Sequence, residues 1–219
     1  MSEASLLPAP ALELWRFTAR EATTVQVPPD GCRDLIVIAP RTGAPACLVS
    51  PLSQSSETHA FAPGDTAMGV RLRPGAQFDE RVLLASLRAR QDWDDGDLLA
   101  AVGAATRLDA RVDDALACLR EAPSLPLAQS RLGVSARSLE RLLSTRTQRG
   151  PLWWRHLARA RRCARALAGD VPLVELAADH GYADQAHMTR DLRRWFGASP
   201  SRLRAMPSLL AALASSGHG

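Results

Sequence analysis

The sequence predicts an α+β protein in two parts. An N-terminal small antiparallel β-sandwich or barrel with flanking helices precedes a C-terminal all-α region of two helix-turn-helix units joined by a long helix. Three observations predict it. Short β-leaning runs bounded by Pro, Gly, Asp or Ser recur roughly every 10 to 12 residues in the first part. Beyond residue 107 the apolar residues take up a helical period punctuated by glycine. The charge also divides: residues 1–106 hold 9 arginines against 13 acids, and residues 107–219 hold 18 against 10. An acidic front and a basic back point to a polyanionic partner for the back alone. A chain of 219 residues can bury two small cores. The boundaries expected are 1–106, 107–206 and a disordered tail over 207–219, whose residues are mostly small.

In order, the strand runs are LELWRFTA from Leu12, TTVQV from Thr23, CRDLIVIAP from Cys32, PACLVSPL from Pro45, ETHAFAPG from Glu57 and AMGVRLRPG from Ala67. The Pro28-Pro29-Asp30-Gly31 stretch is a strong turn signal. After Gly75 the period becomes helical, with Phe78, Val82, Leu83 and Leu87, then Leu98, Leu99 and Val102 past an acidic turn. These two helices are expected to close off the β-domain. His59 has no second ligand at metal spacing, so no metal site is expected. Ser53, Ser55 and Ser56 lack a nucleophile elbow, and Asp34 with Arg33 fits a turn salt bridge better than catalysis. Arg71 and Arg73 share one strand face, which is either open to solvent or the mouth of a pocket for an anionic effector.

Residues 107–121 read as an amphipathic helix with Leu108, Val112, Ala115, Leu116 and Leu119 on a stripe. Two similar blocks follow. Leu125, Ala128, Gly133 and Val134 have the spacing of Leu173, Leu176, Gly181 and Tyr182, and the glycines lie 48 residues apart. Each block is a short helix, a turn of three to four residues and a second helix, as in a helix-turn-helix. Ser135 and Asp184 can cap the second helices, and Gly197 followed by Pro200 ends the last one. The second helices point Arg137, Ser138, Glu140, Arg141 and Arg146, and Gln185, His187, Thr189, Arg190, Arg193 and Arg194, outward, with Asp191 the acid among the latter set. Such side chains hydrogen-bond to base edges and phosphates. Between the blocks, residues 151–168 form a helix roughly 27 Å long. That length suits recognition helices one DNA turn, ~34 Å, apart. Its Arg155, Arg159, Arg161, Arg162 and Arg165 partly face outward, while Trp154, Leu157, Ala160, Cys163, Ala164 and Leu167 pack inward. Trp153 is either core or a platform for a stacked base.

The back half resembles the DNA-binding domain of the AraC/XylS family of bacterial transcription regulators. LVELAADHGY from Leu173 matches the family signature, continued by Asp184, Met188, Arg190, Leu192, Phe196, Gly197, Pro200 and Arg204. More loosely, PDGCRDLI from Pro29 and GVRLRPGA from Gly69 resemble phrases of β-rich sensor domains fused to such regulators. The resemblance implies base contact by Arg137, Glu140 and Arg141 in the first unit and by Gln185, His187, Thr189 and Arg190 in the second. Arg159 takes the family's linker-helix arginine position. Ala128, Gln129, Arg155 and Met188 depart from the pattern, which predicts looser packing of the first unit.

The expected function is sequence-specific binding of double-stranded DNA by a transcription regulator, expected to be an activator. No cofactor and no enzymatic activity are expected. RNA polymerase, a small-molecule effector and a second copy of the chain are the further candidate partners. The alternatives are a first domain that is purely a protein-interaction module, and a regulator fused to a Cys-dependent DNA-repair alkyltransferase, whose Pro-Cys-His-Arg motif is absent. Cys32, Cys47, Cys118 and Cys163 lack paired spacing and are expected as reduced, buried thiols. With no secretion signal or membrane-length apolar run, a cytoplasmic location is expected.

Overall fold

The structure, a computed structural model, describes residues 7–88 and 92–219. The described strands are β1 (Ala11–Thr18), β2 (Thr23–Val27), β3 (Arg33–Ala39), β4 (Ala46–Val49), β5 (Glu57–Phe61), β6 (Thr66–Leu72), β7 (Gln77–Phe78) and β8 (Thr106–Arg107). The helices are α1 (Glu80–Arg88), α2 (Asp95–Ala105), α3 (Ala110–Glu121), α4 (Leu125–Leu132), α5 (Ala136–Thr147), α6 (Pro151–Ala166), α7 (Leu173–Asp179), α8 (Gln185–Phe196), α9 (Pro200–Arg204) and α10 (Pro207–Ala214). They form two compact units. One draws on Met1–Thr24, Cys32–Pro51 and Ala60–Ala110, the other on Val25–Gly31, Leu52–His59 and Arg111–Gly219.

In the first unit, an antiparallel sheet of order β1-β6-β3-β4 alternates its side chains between two faces. Leu35, Val37, Met68, Val70 and Leu72 point to one face, where Leu83, Leu84 and Leu87 of α1 and Leu98, Ala101 and Val102 of α2 cover them. Burial of each large apolar side chain contributes about 1.5–3 kcal/mol. Asp94 caps α2 reciprocally with Asp97. The expected pair of closing helices is present, but the described strands make one four-stranded sheet and the two-stranded pairs β2-β5 and β7-β8, and no closed barrel.

On the opposite face, Trp15 lies over Gly69, its partner in register. A Cβ on Gly69 would stand 2.6 Å from the indole and 2.8 Å from the Leu35 carbonyl oxygen, so only glycine fits. The indole N–H donates to Asp34 Oδ1 at 2.8 Å. Asp34 also pairs across strands with Arg71 at 3.4 Å, and Arg71 reaches Glu13 at 3.6 Å. Asp34 therefore works within the sheet rather than in a turn. Arg71 is held by two acids, whereas Arg73 is exposed. His59 is a surface residue 3.7 Å from Glu57, and no group of His, Cys, Asp and Glu that could hold a metal occurs among the described residues.

The helical unit has two joined cores. Val112, Leu116, Leu119, Ala128, Leu139, Leu143 and Trp154 form one, and Leu157, Cys163, Leu176, Met188, Leu192, Trp195 and Phe196 form the other. Trp153 packs against both, edge-on to Trp154 at 4.9 Å and to Trp195 at 5.5 Å. This half-buried position settles Trp153 as core. Helix α6 has 16 residues and is therefore about 24 Å long. Ala128 is fully buried despite its small size.

Arg161 departs from expectation, being wholly buried instead of facing outward. It donates to the backbone oxygens of Pro29 (3.2 Å), Leu213 (3.1 Å) and Ser215 (3.0 Å). Residues 207–219, for which composition suggested disorder, thus carry α10, whose Leu209 and Leu213 are buried. The Pro28–Gly31 turn belongs to this unit too. Gly31 has φ +78°, and a Cβ there would lie 2.7 Å from the Trp154 ring. Ser56 N–H donates to the Trp195 carbonyl at 3.0 Å and Arg149 to the Leu52 carbonyl at 3.4 Å, so 52–59 is held in the same way.

His218 is 1% exposed, edge-on to Trp154 at 5.0 Å, and its backbone N–H donates to the Asp30 carbonyl at 2.7 Å. Burial first, then the charges of Arg120, Arg161 and Arg162, push its imidazole down to about 3, against a hydrogen bond with the Trp154 backbone that favours the proton. The unfolded chain then takes up a proton that the folded one refuses. This stabilisation is complete above about pH 6.5 and is lost as pH falls towards about 3. Denaturation measured from pH 6.5 to 4 should show wild type losing about 1.4 kcal/mol more per pH unit than His218→Asn. Parallel curves would mean that the imidazole is not held neutral.

Candidate nucleic-acid interface

Each second helix begins at a side-chain cap. Ser135 accepts from Ser138 N at 3.1 Å, and Asp184 accepts from His187 N at 2.6 Å. Gly133 (φ +63°) and Gly181 (φ +68°) make the turns in the left-handed conformation, and Gly197 (φ +74°) ends α8.

On α8, buried Met188, Leu192, Trp195 and Phe196 fix the inner stripe. Gln185, Ala186, Thr189, Arg190 and Arg193 then line one shallow depression on the outside. No carboxylate pairs with Arg190 or Arg193 among the described residues. Of the side chains expected to contact DNA, the structure brings together Gln185, Thr189 and Arg190 and adds Arg193, already expected to face outward, and Ala186. Ala186 was missed because a methyl group carries no hydrogen-bonding signal, although it suits a thymine methyl. His187 instead lies edge-on to Tyr182 at 5.2 Å, and Arg194 stacks over Trp195 at 5.6 Å.

On α5, Arg137, Ser138, Glu140 and Arg141 are all exposed. Ser138 Oγ lies 2.9 Å from the capping Ser135 hydroxyl. Glu140 accepts from Ser144 Oγ at 2.7 Å and crowds Gly150, where a Cβ would be 2.7 Å from Glu140 Oε1. Its carboxylate is drawn back along the helix, leaving Arg137 and Arg141 as the unencumbered pair.

Arg159, expected to contact DNA, is largely buried and paired inside the domain. Its side chain is 11% exposed and its Nη2 lies 3.0 Å from Asp191 Oδ2. The guanidinium also stacks over the Tyr182 ring at 4.2 Å, and Nη1 donates to the Gly181 carbonyl at 3.5 Å. Asp191, expected among the outward residues, is buried, and it accepts from the Tyr182 hydroxyl at 3.0 Å. Burial and the Asp191 charge push the Tyr182 hydroxyl well above its ordinary range, so it stays a donor. The same two causes push the Cys163 thiol up to about 12, which leaves it unreactive. Cys32 is likewise buried, whereas Cys47 and Cys118 are only half-buried; all four are free thiols.

The class of protein that two capped, arginine-faced second helices define is a DNA-binding transcription regulator. Residues 127–206 match the family model described as a helix-turn-helix domain. Among solved structures, the chain is similar to the DNA-binding domain of AdpA in complex with a target DNA, with 28% identity over 44% of this chain and 88% of that one and a TM-score of 0.38. It is also similar to ToxT from Vibrio cholerae O395, with 10% identity over 93% and 97% of the two chains and a TM-score of 0.44. For ToxT bound to (E)-4-(8-methylnaphthalen-1-yl)but-3-enoic acid the values are 8%, 92%, 98% and 0.45. Comparison with curated proteins found no match. No helix among the described residues is long and apolar enough to cross a membrane.

Removing one partner of a buried ion pair leaves the other charge uncompensated. Asp191→Ala should therefore cost about 3–5 kcal/mol in urea denaturation, and adding Arg159→Met should recover much of it. A loss under about 1 kcal/mol would place the pair with weak surface bridges.

Proposed function

We propose that the chain regulates transcription by laying α5 and α8 into two successive major-groove segments of a specific operator. The observation that carries this reading is the pair of capped helices with unpaired, exposed arginines, one on each side of α6. A rod of about 24 Å with one unit at each end suits groove faces ~34 Å apart. Arg190 and Arg193 are suited to guanine, Gln185 to adenine, and Arg137 and Arg141 to guanine in the first segment. Glu140 would have to release Ser144 before it could accept from cytosine.

The protein works by binding rather than by catalysis, in the reducing cytoplasm, with RNA polymerase and a second copy of the chain as partners. The first unit modulates it. An anionic effector on Arg71 would compete with Glu13 and Asp34, so a neutral or apolar effector fits that unit better.

Titration of genomic fragments in mobility-shift assays should find fragments bound at least 1000-fold tighter than random DNA, with steep salt dependence. Equal affinity for all fragments at physiological salt would end the regulatory reading. On a bound fragment, Arg190→Ala should cost about 1–3 kcal/mol and relax preference at one base pair. Uniform weakening on every sequence would recast Arg190 as a phosphate contact.

A further inference from the structure

We propose that the crevice between α3 and α6 is a binding site for a phosphate-bearing anion, separate from the outer faces of α5 and α8. It is open, about 560 Å³ in volume, and lined by Arg120, Glu121, Arg162, Arg165, Gly217 and Gly219. Folding brings Arg120 at the end of α3 beside Arg162 and Arg165, one turn apart on α6. The acidic side chain in the lining, Glu121, is 70% exposed and 3.9 Å from Arg120. No carboxylate pairs with Arg162 or Arg165 among the described residues.

The guanidiniums are positioned as well as numerous. Arg162 donates to the Arg120 carbonyl, and Arg155, two turns before it on α6, donates to the Pro123 carbonyl. Burial, together with the charges of Arg165, Arg155 and Arg120, holds Arg162 below its ordinary range; burial first, and only then neighbouring arginines, pushes His180 and His218 towards neutrality. Half-buried like charges at this density repel one another until an anion joins them. The other wall is backbone: a Cβ on Gly219 would stand 2.6 Å from Ala158 Cα, so this segment presses against α6 and presents no bulky side chain. Planar guanidinium forks gathered in one crevice match the geometry of phosphate oxygens. The phosphates can belong to a DNA backbone or to a free oligophosphate such as a nucleotide.

The test uses the full chain at constant ionic strength. Inorganic triphosphate is titrated calorimetrically into wild type, Arg165→Gln and the charge-matched control Arg20→Gln, an exposed arginine of the first unit. The Arg165 side chain makes no hydrogen bond among the described residues, so its replacement is expected to leave the fold intact, which circular dichroism checks. Saturable one-to-one binding that weakens at least tenfold in Arg165→Gln alone assigns a free oligophosphate. If triphosphate does not bind but the salt slope for DNA falls by about one in Arg165→Gln, the ligand is the DNA backbone. No triphosphate binding together with an unchanged salt slope overturns the site. A protein that binds triphosphate but reads no DNA sequence would sink the regulatory reading and leave this one standing.

Discussion

A single buried carboxylate organises the better-formed half of the DNA-binding domain. Asp191 faces inward from α8 and meets Arg159 of α6 and the hydroxyl of Tyr182, while Arg159 also reaches the Gly181 carbonyl. Three pieces are thereby fixed against each other: α6, the turn and α8. The arrangement costs desolvation of both charges, and its geometry offsets that cost only while every partner is present. Its consequence for function is orientation. With Asp191 turned in, the opposite side of α8 presents Gln185, Thr189, Arg190 and Arg193 without an acid among them.

Arginine serves two opposed purposes on α6. Arg161 is buried and spends its donors on the backbone of residues 29, 213 and 215, closing the Pro28–Gly31 turn and α10 onto the rod. Arg162, its neighbour, is turned by about 100° around the helix and meets Arg120 and Arg165 at the surface. Trp153 and Trp154 do the corresponding work for apolar packing, one shared by the two cores and the other sealed within one of them. The two helix-turn-helix units are therefore coupled through a common interior as well as through a covalent rod.

In the first unit the sheet is amphipathic in an uncommon way. One face buries aliphatic side chains under α1 and α2, and the other carries a polar chain of Trp15, Asp34, Arg71 and Glu13 across neighbouring strands. Gly69 allows the indole to approach the sheet closely.

The sequence by itself determined what depends on local spacing. The six longer strands, the two helix-turn-helix units, their Ser135 and Asp184 caps and the inward stripe of α6 were all legible, because periodicity, capping and glycine turns act within a few residues. Tertiary structure alone decided which polar residues were used up inside. Arg159, Arg161 and Asp191 look on a helical wheel like surface residues, and Arg159 also occupies a position the family resemblance marks for DNA. Their partners lie 32 residues away for the Arg159–Asp191 pair and 132 for Arg161 and Pro29, beyond the reach of any local pattern. The same holds for residues 207–219, whose small side chains read as disorder until glycine contacts on Ala158 and a buried arginine give them a place to dock. A charge can be read from the chain, but whether it faces water or a partner is set by what folding brings beside it.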